Sequence, residues 1–256
     1  MRGTNEVCRG QKGFSLIELL TVVVILMLVT GVVFQQIDLV QKRGRQEDVK
    51  MDLTQEAREF LDQMVRDLHT SGYPNKKMYV VNLVNINDIR NAVGLVQVSS
   101  TLLQFEGDVD GDGQVDNIQY QLQANGGACP CTIRRSQVVK ANTEPWNQAT
   151  NFNMEVNNVV NSGGTIPIAG NATLASGVVA NDALYGAYKA APVFQAYDGN
   201  GTLMVLPLDL KSNPTVMSTI RTIRITINVL AGPEGADFDT RMRPAVSMTA
   251  GARINN

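Results

Sequence analysis

The chain has 256 residues, enough for one large domain or two small ones. Its formal net charge is −2 and its hydrophobic fraction is 44%, so no global field points to nucleic acid or to a highly charged substrate. A single histidine, His69, argues against His-based metal sites and against Ser-His or Cys-His catalysis. Composition is uneven along the chain. The continuous apolar sequence sits before residue 35, whereas the remainder is rich in Asn, Thr, Gly and Val and poor in aromatics, as a strand- and loop-rich domain outside the cytoplasm would be.

The first predicted element is a helix. Phe14 to Phe34 is almost unbroken Leu, Val and Ile, about 21 residues or roughly 31 Å as a helix, matching a bilayer core of about 30 Å. A secretory signal would have a shorter apolar stretch followed by a small-residue cleavage site, and Val29-Thr30-Gly31 is a poor one. A plain anchor fits the length but leaves Glu18 unexplained, because a carboxylate in a bilayer costs about 2.5–3.5 kcal/mol at a helix centre. Cleavage between Gly13 and Phe14 would supply a partner: a new α-amino group at Phe14, four positions before Glu18. In a bundle of such helices, one subunit's carboxylate meets its neighbour's amine, which cancels two costly charges and sets the axial register. A first-turn carboxylate also suits the helix dipole.

The string Gly13-Phe14-Ser15-Leu16-Ile17-Glu18-Leu19-Leu20, after a basic leader with Arg2, Arg9 and Lys12, resembles the class III signal of type IV pilins and type II secretion pseudopilins. The resemblance implies cleavage after Gly13 by a prepilin peptidase, methylation of Phe14 and an assembly role for Glu18. It also implies an orientation with the leader in the cytoplasm. Charge alone sets none, since Lys42, Arg43, Arg45 and Lys50 follow the span as well.

Beyond Phe34, Leu53, Ala57, Phe60, Leu61, Met64 and Leu68 recur at three- and four-residue steps, the apolar face of an amphipathic helix. Ser71-Gly72-Tyr73-Pro74 is a stop signal. One helix is therefore expected from Phe14 to His69, on the order of 80 Å long. Gly31 and Gly44 are its weak points, and the proline common near the end of the apolar run in pilin-like helices is missing. His69 reads as a cation at the helix C-terminus.

Strands are expected at residues 95–98, 102–105, 118–122, 193–197, 203–206, 223–229 and 246–248, the clearest being the alternating Ile223 to Val229. Residues 141–182 show no period and read as loop or insertion. The expected fold is α+β: a long N-terminal helix packed on an antiparallel sheet. Its organisation is a leader at 1–13, a transmembrane or filament-core helix at 14–34, an amphipathic helix at 35–72 and a β-rich head at 73–256. Tyr197-Asp198-Gly199-Asn200-Gly201, with the alternating strand and the ending Ala252-Arg253-Ile254-Asn255-Asn256, resembles the W-type minor pilins and J-type pseudopilins.

Two local patterns carry chemistry. Asp108, Asp110, Asp112, Gln114 and Asp116 occupy positions 1, 3, 5, 7 and 9 of a loop with Gly113 at 6, the way calcium loops collect oxygen ligands. Position 12 is Gln119 rather than a bidentate glutamate, and an Asp/Gly hairpin turn is the plain alternative. The expectation is one structural Ca2+. Asp198-Gly199-Asn200-Gly201 has too few ligands and reads as a turn. Cys129 and Cys131 form the second pattern, either a small local disulfide or a free thiol pair. Removal of the leader would discard Cys8 and leave these two.

The resemblance implies a non-enzymatic filament subunit, a minor pilin of a type IV pilus. Its partners would be prepilin peptidase, other major and minor pilins and an inner-membrane assembly platform. It would reside in the inner membrane with its head in the periplasm before assembly, and in the pilus or at the cell surface after it. A pseudopilin of a type II secretion system is the alternative. A bitopic adhesin or sensor, needing only an anchor, is a lower one.

Overall fold

The structure is a computed structural model that describes residues 13, 15–75, 85–161, 188–232 and 243–254. The chain divides into two compact units, residues 1–45 and 46–256. Helix α1 runs Leu16–His69, and every described residue from 15 to 41 is exposed. Within the second unit, Leu53, Ala57, Phe60, Leu61, Met64, Asp67 and Leu68 of α1 are buried. These are the apolar positions expected from the three- and four-residue spacing, plus Asp67. Each large apolar side chain buried in this way contributes roughly 1.5–3 kcal/mol. The helix ends where the Ser-Gly-Tyr-Pro signal places it. Thr70 and Ser71 donate back to the carbonyls of Asp67 and Leu68, and Gly72 takes a left-handed φ of 78°.

Among the described residues, nine strands follow in one antiparallel sheet: β1 (Leu95–Val98), β2 (Leu102–Gly107), β3 (Asp116–Asn125), β4 (Ala128–Val139), β5 (Phe152–Val159), β6 (Phe194–Asp198), β7 (Leu208–Asp209), β8 (Ile220–Leu230) and β9 (Ala245–Arg253). Their order is β6-β8-β5-β4-β3-β2-β1-β7, with β9 on the other side of β8. A short helix α2, Pro214–Met217, precedes β8. Strands β2 to β5 form a meander of consecutive neighbours. The β5–β8 junction is narrow, one register pair, Val159 with Val229. Buried Asn161 reinforces it, accepting from the Asn228 N–H at 2.6 Å and donating to the Thr226 carbonyl at 3.0 Å.

Two expectations on the sheet need correction. Residues 203–206 are not a strand: Leu203 makes an isolated bridge to Tyr197, Val205 is 86% exposed, and the strand lies later, at β7. The stretch expected to be loop holds β5, paired along β4 from Ser136↔Phe152 to Cys131↔Val159. Its residues 162–182 lie outside the described residues.

Polar groups in the core set the register of helix on sheet. The Tyr120 hydroxyl donates to Asp67 at 2.6 Å, and Arg135 reaches the same carboxylate at 2.9 Å. The Phe60 and Tyr120 rings meet edge to face at 6.0 Å. Where the chain leaves α1 it crosses the end of β2 so closely that a Cβ on Gly107 would lie 2.5 Å from the Thr70 carbonyl oxygen. No side chain larger than hydrogen fits there.

A second buried pair fastens the segment before β1. Lys140 and Glu106 have fully buried side chains, and Nζ lies 2.7 Å from Oε2. The ammonium's other two donors reach the Ile86 and Asn91 carbonyls at 2.7 and 2.8 Å. Burial raises the Glu106 carboxyl, and Lys140 acts against that rise. Lys140→Met would leave Glu106 buried without its counter-charge. It should cost about 3–5 kcal/mol in urea denaturation, with much of the loss recovered when Glu106→Leu is added.

Candidate functional site

Two sites emerge, and they lie in different units. At the N-terminus, Gly13 is exposed, and a Cβ there would meet nothing within 4 Å. Phe14, the expected new N-terminus, and the basic leader before Gly13 lie outside the described residues. The helix starts on the Ser15 carbonyl, which accepts from the N–H groups of Glu18 and Leu19 at 3.0 and 3.1 Å. Glu18 therefore sits in the first turn, exposed, on the positive end of the helix. It is the one charged residue between Leu16 and Ile37. Leu16, Ile17, Leu19 and Leu20 around it are all more than half exposed. Thr21 and Thr30 turn their hydroxyls onto the Glu18 and Leu26 carbonyls, so neither presents a free polar group to an apolar environment. Among the described residues, α1 is the one helix long and apolar enough to cross a membrane.

The second site is the aspartate loop between β2 and β3. Gly111 and Gly113 adopt φ of 77° and 84°, which folds the loop back on Asp108. The two Asp108 oxygens accept from the N–H groups of Gly111 at 2.8 Å and Gly113 at 3.1 Å. One carboxylate oxygen from each of Asp108, Asp110 and Asp112 lies within 4.8 Å of the others. Oxygens held about 2.4 Å from one calcium ion lie at most about 4.8 Å apart, so the spacing suits a hard divalent cation. The other two expected ligands behave differently. Gln114 turns its amide to donate to Asp112 at 2.7 Å. Asp116 lies in β3, buried, and accepts from Gln137 at 2.8 Å. Gln119 is mid-strand in β3, paired with Gln104 and Ser136.

Gln137, on β4, has no counterpart among the expected site residues. Its amide nitrogen donates to Asp116 and approaches Asp110 at 3.5 Å, while its oxygen accepts from Arg135 at 2.8 Å. A polar path thus runs from Asp67 on α1 through Arg135 and Gln137 to the loop. A single glutamine in a strand carries no sequence signal for this, since the path exists only once β3 and β4 pair.

The remaining singled-out residues are structural. Cys129 and Cys131 form a disulfide at the start of β4, both side chains buried. Asp198 closes a turn, accepting from the N–H groups of Asn200 and Thr202. His69 is in the last turn of α1 and exposed.

Burial, with the charges of Asp110 and Asp112 adding to it, raises the Asp116 carboxyl above the ordinary aspartate value. The folded, cation-free head therefore holds this proton more tightly than the unfolded chain does. That contribution is fully present below the ordinary aspartate pKa and is lost as pH rises through the raised value. Asp116→Asn keeps an acceptor for Gln137 and removes the titration. In chelator, it should make urea stability at neutral pH higher than wild type and flatten that part of the pH profile.

Residues 8–34 match the family profile of the prokaryotic N-terminal methylation motif. No curated protein and no solved structure matches the chain. The matched stretch contains Gly13, Phe14 and Glu18 and the whole apolar run, and together they point to membrane anchoring and to processing by a prepilin peptidase. Over residues 8–34 the chain thus carries the N-terminal methylation motif that marks type IV pilin-like proteins, and that motif opens a long helix followed by an antiparallel sheet.

Proposed function

We propose that this protein is a minor pilin of a type IV pilus, cut after Gly13, methylated at Phe14 and assembled through its apolar helix. The observation that carries the reading is Glu18: a lone carboxylate in the exposed, otherwise uncharged stretch of α1 from Leu16 to Ile37, within the methylation motif. Such a charge is costly in an apolar environment unless an opposite charge meets it, and the freed N-terminal amine of a neighbouring subunit is that charge. The head then resides in the periplasm before assembly and on the filament afterwards. Its working partners are other major and minor pilins and the inner-membrane platform.

Glu18→Ala should leave the protein inserted in the membrane but lower its recovery in sheared surface fibres by about 100-fold or more, the scale of an uncompensated buried charge. Mass spectrometry of fibres and membranes should find a peptide from Phe14 to Lys42 with a methylated N-terminus. Its presence in membranes alone moves the assignment to a type II secretion pseudopilin. An uncut chain refutes both and leaves a plain anchor.

The aspartate loop has a role of its own in this reading. Asp108, Asp110 and Asp112 take one Ca2+, with Asp116 held beside them by Gln137, and the ion stiffens the β2–β3 connection. At about 100 times its Kd, calcium should raise the melting temperature by roughly 5 °C over chelator. That gain should fade on acidification, because the ion binds only ionised carboxylates. Identical melting curves would leave the loop a plain hairpin turn.

A further inference from the structure

Two of the sheet's outer strands, β7 and β9, are finished differently. Strand β7 is two residues long, contains Asp209 and follows Pro207, which are the usual protections of an edge. Strand β9 has nine residues, no proline, no bulge against β8 and no charge before Arg253 at its end. Its register with β8 runs from Leu230↔Ala245 to Thr222↔Arg253. Ala231 donates to the Pro244 carbonyl and Ile254 to the Arg221 carbonyl, which fixes the alternation. The backbones of Val246, Met248, Ala250 and Ala252 face β8, and those of Ala245, Ser247, Thr249, Gly251 and Arg253 face outward. Among the described residues, no backbone group pairs with that outward row.

The side chains alternate as well. Val246, Met248 and Ala250 pack against the core but stay only partly buried. Ser247, Thr249, Gly251 and Arg253 form the exposed face, beside Thr222 and Arg224 of β8. We propose that β9 receives an extended strand of another polypeptide, antiparallel to it. Its apolar side chains would cover Val246, Met248 and Ala250, and a carboxylate at its N-terminal end would lie opposite Arg253. The charge pattern chooses this partner over a second copy of β9. Arg253 is exposed and has no ion pair among the described residues, and Arg224 lies on the same face two residues from its β8 neighbour, Thr222. Strand β9 has no acidic residue to offer a copy of itself. The inference depends on the sheet alone and stands apart from the membrane reading.

The test uses the full chain in detergent micelles and a synthetic peptide, acetyl-Asp-Val-Thr-Val-Thr-Val-Thr-Val-Thr-amide. Amide hydrogen exchange is followed at Ser247, Thr249 and Gly251, whose N–H groups face outward. Without peptide they should exchange faster than Met248 and Ala250. Saturating peptide should slow them by about tenfold or more, and a peptide with Lys in place of Asp should slow them less. Ser247→Pro removes one outward N–H and no bond to β8, so it should abolish the effect at an unchanged melting temperature. Should that variant melt early, Thr249→Pro serves the same purpose. Outward amides already as slow as inward ones, or unmoved by peptide, would overturn the proposal. So would equal slowing by a peptide of β9's own sequence in a chain that dimerises, which would assign the edge to a second copy.

Discussion

A carboxylate buried under a helix has to be met by donors, and the head of this protein is organised around one such demand. Asp67 projects from the buried stripe of α1, and Tyr120 on β3 and Arg135 on β4 are its partners. The two donors sit in one cross-strand pair, Tyr120↔Arg135, so they reach Asp67 together only when β3 and β4 pair in the observed register. A slip by one residue would turn both to the other face and leave a charge unpaired in the core. Apolar contacts hold the helix down, and this cluster decides where along the sheet it sits.

The same cluster extends outward. Arg135 also donates to Gln137, and Gln137 holds Asp116 and approaches Asp110. The aspartate loop is thus tied to the core rather than to solvent alone. Its three convergent carboxylates come from a flexible-looking Asp/Gly string, yet their backbone is shaped by Gly111 and Gly113 and by donors within the loop.

Legibility in the sequence followed the strength of local periodicity. The helical stripe from Leu53 to Leu68 and the alternation of Ile223 to Val229 were readable because each repeats one period several times over a buried face. The N-terminal motif was readable for a different reason: Gly13, Phe14 and Glu18 lie within six residues, and their chemistry is local. Strand β4 was obscured by Pro130 at its start and by Arg134-Arg135 in its middle, which break any period-2 pattern. Strand β5, Phe-Asn-Met-Glu-Val-Asn-Asn-Val, is masked by asparagines that its neighbours accommodate. Conversely, Leu203 to Leu206 has the composition of a strand but Pro207 after it and no ladder beside it. Roles that depend on tertiary pairing, those of Asp67, Lys140 and Gln137, have no one-dimensional signature.

The narrow junction between β5 and β8 has a mechanical meaning. The sheet is two ladders, one from β7 to β5 and one of β6, β8 and β9, joined by the Val159–Val229 pair, the Val160 N–H on the Asn228 carbonyl, Asn161, and the Val193 and Phe194 N–H groups on the Ser100 carbonyl. Many ladder bonds share a load along either half, but at the seam very few do. A pull that separates the two halves would therefore meet its weakest resistance there, and the sheet would part as two intact pieces rather than fray strand by strand.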